Sequence, residues 1–163
     1  MRNDQCQDLV GKIKKFRTVV LDFDSTLTTS RGNLAECAGD VVRNAKELAV
    51  NTFNSEITPA ACCTDEQLVS LGFCPNGKCR VDKKKWAYRR GKEDIMLNGK
   101  KLGTWHDDDI KGRLMREMKL SPETTLFFDD NAQNIRAAEK YGYNATKVDG
   151  RSGLNGREEI TPP

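Results

Sequence analysis

No stretch of the 163-residue sequence is apolar for long enough to cross a membrane, and the N-terminal MRNDQCQDLVGKIKKF lacks the apolar core of a signal peptide. Net charge is also scarce. The 27 Lys and Arg against 24 Asp and Glu leave +3, too little by itself to argue for a nucleic-acid or membrane partner. Internal repeats are missing, and so is any CxxC pair, which weakens a zinc site built from the six cysteines. These absences predict a cytoplasmic protein with no membrane partner. In that compartment the cysteines are expected as reduced, partly buried thiols, and disulfides are disfavoured. Asn144-Ala145-Thr146 fits a glycosylation sequon, but without an export signal it reads as a chance match. What is present is ordinary: 37% hydrophobic and 31% charged residues, in a length that suits one core.

The informative stretch is Arg17 to Thr29, RTVVLDFDSTLTT. Thr18 to Leu21 is a short apolar run rich in β-branched residues, as in a strand buried on both faces. It leads into Asp22 and Asp24, whose side chains leave an extended chain on the same side, at the strand's C-terminal end. Open α/β sheets hold their ligands at that end. Ser25 and Thr26 add hydroxyls and backbone amides where the chain turns. Two like charges so close need a cation or an electrophile between them.

The pattern recurs about a hundred residues later. Thr124 to Phe128 is a second short apolar run, and it ends in Asp129, Asp130 and Asn131. Ile135, Ala138 and Tyr141 then follow at helical spacing, with Gly142 as a C-cap. Four aspartates from two strand ends would repel strongly if they met without a cation. A hard divalent ion, Mg²⁺ above all, suits an all-oxygen donor set of this kind.

DFDST followed by LFFDDN resembles the first and last motifs of the haloacid dehalogenase superfamily of phosphohydrolases. Asp22 to Thr26 matches that family's DxDx[TV] in full, and the FFDDN form looks most like its small, Mg²⁺-dependent, largely capless phosphatases. The resemblance implies an α/β fold, a parallel sheet flanked by helices, with a small insertion in place of a large cap. It implies Asp22 as nucleophile and metal ligand, and Asp24 as general acid/base whose backbone carbonyl also ligates the metal. It implies Asp129 and Asp130 as the remaining metal ligands. Ser25, Thr26 and Asn131 are candidate substrate contacts beside them.

The family also places a Ser or Thr at the end of its second core strand, and Thr52 in ELAVNTFN is the candidate. The competing reading continues the helix predicted over 33–48 and makes Thr52 its cap. A lysine is expected just before the last motif to neutralise nucleophile and phosphate. Here Thr104 to Asp107 occupy the helix start, so Lys111, one turn in, and Lys101, just before, are the substitutes. Each competes with a reading as an ordinary solvated lysine.

Residues 1–150 are read as one domain, with an insertion at about 55–104 outside any core motif. Thr64 to Gly72 is a short capped helix, and Cys62, Cys63, Cys74 and Cys79 crowd the segment beside a Pro-Asn-Gly turn. Arg80 to Lys92 interleaves seven basic residues with Trp86 and Tyr88. Such a stretch can hold a nucleic-acid backbone, steer an anionic substrate, or form an exposed hairpin with Asn98-Gly99 as a turn. Residues 151–163 are polar and Gly/Pro-rich, and are expected to be a poorly ordered tail. The reading is a Mg²⁺-dependent phosphatase acting on a phosphorylated substrate, and so short a cap leaves room for a macromolecular one. The alternatives are a non-catalytic metal-binding relative and a module for nucleic-acid ends.

Overall fold

Thr18–Leu21 forms β1 at the centre of a sheet, with all four residues buried. The structure is a computed structural model describing residues 2–163. Strands β2 (Glu47–Asn51) and β6 (Thr125–Asp129) flank β1 in parallel. The remaining strands are β3 (Trp86–Arg90), β4 (Asp94–Leu97), β5 (Lys100–Thr104), β7 (Asn144–Asp149) and β8 (Gly153–Arg157). They give the order β5-β4-β3-β2-β1-β6-β7-β8. The five inner strands are parallel, whereas the edge pairings β3–β4, β4–β5 and β7–β8 are antiparallel. The α/β architecture is as expected; the purely parallel sheet is not.

Alternation along β1 divides the core. Val19 and Leu21 pack with α1 (Arg2–Ile13), α2 (Ala38–Asn44) and α3 (Glu66–Leu71) on one face. Val20 packs with α4 (Ile110–Glu117) and α5 (Ala132–Lys140) on the other. The sheet is therefore covered on both sides. The one long helix expected over 33–48 is two elements: α2 stops at Asn44, and Leu48 to Val50 pair with β1 as β2. Val41 and Leu48 are buried in either conformation, so apolar spacing alone does not separate helix from strand here. Asn98 and Gly99 both have positive φ (51° and 79°) and form the β4–β5 turn.

Two further expectations are overturned. All six cysteines pair, as Cys6–Cys37, Cys62–Cys79 and Cys63–Cys74, and none is free among the described residues. Such bonds persist in oxidising compartments, which runs against the reduced thiols predicted for a cytoplasmic protein. The presumed tail supplies β8 and buries Leu154 and Ile160. Its polar sequence hides this because an edge strand needs apolar residues on one side only. The Asn144 side-chain amide donates to the carbonyls of Pro122, Glu123 and Thr125, so the sequon asparagine is engaged by the fold. No described helix is long and apolar enough to cross a membrane.

Helices α4 and α5 touch at a glycine. A Cβ on Gly112 would lie 2.2 Å from the Ala137 carbonyl oxygen and 2.4 Å from Tyr141 Cδ2. Backbone cannot retreat as a side-chain tip can, so Gly112→Ala is expected to destabilise by about 1–3 kcal/mol. The shift should appear in the urea midpoint, and an unchanged midpoint would refute the close approach. A thiol titration in denaturant without reductant should find no free cysteine, while reduction of all three bridges should lower Tm. Loop-closure entropy sets the scale at about 3 kcal/mol per bridge.

Candidate functional site

Register brings the two acidic strand ends together. Leu21 on β1 is level with Phe128 on β6, and the Asp22 amide donates to the Phe128 carbonyl at 3.2 Å. The next residues are Asp22 and Asp129, both buried. Asp22, Asp129 and half-buried Asp130 each offer a carboxylate oxygen within 4.8 Å of the others. The carboxylates sought from the sequence do converge; the side chain of Asp24 stands outside this trio and is exposed.

One cation answers them directly. Lys111, in the first turn of α4, is 1% exposed. Its Nζ lies 3.1 Å from Asp129 Oδ2 and 3.4 Å from Asp22 Oδ1, and it also donates to the Asn51 carbonyl. Of the two candidate lysines, Lys111 is the one delivered. Lys101 sits on edge strand β5 and pairs with Asp94 at 3.3 Å, so it is not brought to the carboxylates. Burial works against the Lys111 charge, yet Asp129 and Asp22 outweigh it and hold the ammonium above its ordinary range. Burial, and then Asp129, push the Asp22 carboxyl well above the usual carboxylate range despite Lys111. Burial and Asp129 raise Asp130 in the same direction.

Asp129 is held from several sides. Its Oδ1 accepts from the Asn131 amide at 2.9 Å, and its Oδ2 accepts from Asn134 Nδ2 at 3.2 Å. The Asn131 side chain, expected at the substrate, caps α5 instead and accepts from the amides of Gln133 and Asn134. Thr52 is buried just beyond β2, where the strand reading placed it. Its Oγ1 accepts from the Asn54 amide at 3.0 Å, which leaves its own proton to donate. Ser25 turns the chain after Asp24 with φ of 60°, and its amide donates to Thr28 Oγ1. Thr26 is fully buried, and its Oγ1 has no hydrogen-bond partner.

Three contributors escaped the sequence reading. Asn51 ties β2 to α4: its Nδ2 donates to the Lys111 carbonyl while its own carbonyl takes the Lys111 Nζ. The Phe53 ring lies 4.6 Å from Lys111 Nζ. Asn54 Nδ2 donates to Asp24 Oδ2 at 3.0 Å. Single polar residues of this sort carry no periodic signal, and only the TxN spacing after an apolar run hints at them.

The basic segment 80–92 does not act as one patch. Trp86 is buried and donates to the Ile57 carbonyl, Arg80 caps α2 through the Val42 and Ala45 carbonyls, and Lys85 pairs with Glu47. Arg89 donates to the Phe53 carbonyl at 2.9 Å, beside the site.

No protein-family model matches the sequence, and no curated protein matches it. Among solved structures the chain is similar to an uncharacterized protein from Corynebacterium glutamicum, with 14% identity, 90% of this chain and 99% of that one covered, and a TM-score of 0.48. It is also similar to a hypothetical protein from Xanthomonas campestris, with 18% identity, coverage of 85% and 68%, and a TM-score of 0.41. A third is the N-terminal part of protein BF1531 from Bacteroides fragilis, containing a phosphatase domain complexed with Mg. There the identity is 15%, the coverage 95% and 44%, and the TM-score 0.43.

The electrostatics of Asp22 can be tested without turnover. Its folded-state pKa lies above the unfolded one, so folding binds its proton. The stability linked to it is greatest at low pH and falls as pH rises through the ordinary carboxylate range toward the raised value. In chelator, Asp22→Asn should therefore be more stable than wild type at neutral pH, by an amount that shrinks on acidification. Denaturation at a series of pH values reads this, and a variant less stable throughout would contradict it.

Proposed function

We propose that the protein is a Mg²⁺-dependent phosphatase of the haloacid dehalogenase type, hydrolysing a phosphate monoester through an aspartyl-phosphate on Asp22. The observation that carries this reading is the meeting of Asp22, the first residue of DxDST, with Asp129, Asp130 and buried Lys111 at two neighbouring strand ends. Three carboxylates and one ammonium leave negative charge uncompensated, and an oxygen-only donor set suits a hard cation. Asp22, Asp129 and Asp130 would hold Mg²⁺ by their side chains and Asp24 by its backbone carbonyl. When bound, the ion supplies positive charge against the carboxylates and the phosphoryl oxygens.

Within this reading an Asp22 carboxylate oxygen attacks phosphorus, and the bond to the leaving oxygen breaks. Asp24 gives its proton to that oxygen. It then takes a proton from the water that attacks the aspartyl-phosphate, releasing inorganic phosphate and restoring both aspartates. Thr52 donates its hydroxyl proton to a phosphoryl oxygen, and Lys111 neutralises charge on the nucleophile and the phosphoryl group. Both groups are already held by Asn54 and Asn51, so little reorganisation accompanies reaction.

The purified chain is expected to hydrolyse p-nitrophenyl phosphate with Mg²⁺ and to stop in chelator. Asp22→Asn should lower kcat by at least about a thousandfold, because the nucleophile is gone. Lys111→Ala should lower it by about a hundredfold or more, while unfolding more readily because two buried carboxylates lose their partner. If the protein binds Mg²⁺ yet turns over none of a broad panel of phosphate esters, the non-catalytic reading replaces this one.

A further inference from the structure

We infer that Asn54 is a positioning residue for Asp24, fixing which carboxyl oxygen faces the leaving group; this rests on the phosphatase reading above. The geometry fixes the orientation of its amide. Asn54 Oδ1 lies 2.8 Å from the Glu56 backbone nitrogen, which can only donate. The oxygen must therefore face Glu56, so Nδ2 faces Asp24 Oδ2, 3.0 Å away. The Asn54 backbone is tied as well, since its amide donates to Thr52 Oγ1 at 3.0 Å. One short turn thus carries both the hydroxyl proposed to hold the phosphoryl group and the clamp on the proposed acid.

The clamp has a chemical consequence. Nδ2 offers protons and accepts none, so the Asp24 oxygen it meets cannot carry the transferable proton toward it. Oδ2 is thereby anchored as an acceptor, and the direction of Oδ1 follows from it. Asp24 is exposed, and among the described residues Asn54 is the side chain that hydrogen-bonds its carboxyl. Without this contact the carboxyl would populate several rotamers, and only some would reach the leaving oxygen.

The test exploits leaving-group dependence. In kcat/KM, which ends at phosphoryl transfer to Asp22, a misplaced acid matters most when the leaving oxygen is strongly basic. Asn54→Ala should lower kcat/KM by about tenfold or more for an alkyl phosphate and by less than about threefold for p-nitrophenyl phosphate. Asn54→Ser keeps an acceptor for the Glu56 amide but is too short to reach Asp24, so it should behave alike even if the alanine variant folds poorly. Equal losses for both esters, or an increase in rate, would overturn the inference. A second readout needs no turnover. The Asn54 side-chain amide protons should shift in NMR spectra on Asp24→Ala, and unmoved resonances would refute the contact. If the amide shifts but wild type hydrolyses no ester, the contact stands while both the phosphatase reading and this role fall.

Discussion

Buried like charges at the ends of two adjacent strands govern this fold. Asp22 and Asp129 directly follow Leu21 and Phe128, which are level on the central strands β1 and β6, and both aspartates are buried. Such an arrangement persists only if cationic and donor groups are held against it. Lys111 supplies the charge, Asn131 and Asn134 supply hydrogen bonds, and the two-faced core fixes the strands that carry the acids. Burial and repulsion from Asp129 raise the carboxyl of Asp22, so its ionised form is disfavoured in the folded protein.

The position of Lys111 depends on more than its own helix. Asn51 at the end of β2 takes the Lys111 ammonium on its carbonyl and donates to the Lys111 backbone carbonyl. The lysine is thereby pinned at both ends of its side chain. Gly112, next in sequence, lets α4 lie directly on α5, whose first turn follows Asp129 and Asp130. Helix packing and charge neutralisation are therefore one constraint: α4 must approach closely for the ammonium to reach both carboxylates.

Much of this was legible in the sequence, and the limits were physical. β1 and β6 declared themselves because strands buried on both faces read as unbroken apolar runs. Their acids followed directly, whereas Thr52 was reached through the family resemblance, against a competing reading as a helix cap. Lys111 was ambiguous because a buried lysine and a solvated one look alike until the acids around it are located. The break between α2 and β2 was hidden, since Val41, Val42, Leu48 and Val50 are buried under either assignment. The three disulfides were inferred away through compartment rather than geometry. Spacing along a chain does not state which Cβ atoms meet, and Cys6 pairs across 31 positions. β8 was missed because its neighbours, not its composition, order it.

Those missed elements hold the turns beside the acidic site in place. From one side β8 clasps the turn after Asp24: the Leu154 amide donates to the Thr26 carbonyl at 2.9 Å, and the Ser30 amide to the Arg151 carbonyl. A Cβ on Gly153 would come within 2.6 Å of the Thr26 and Thr28 carbonyl oxygens, so only glycine permits the approach. From the other side, the Thr52 amide donates to Ala87, Arg89 holds the Phe53 carbonyl, and Trp86 holds the Ile57 carbonyl. The disulfide-braced stretch between Ile57 and Trp86 is thus a strut beside the turn that bears Thr52 and Asn54. Loops carry reactive groups well only when their rotamers and backbones are fixed from outside. Here an edge strand and a cross-linked insertion do that fixing, so segments without a motif of their own set the backbone of the turns that follow Asp24 and Thr52.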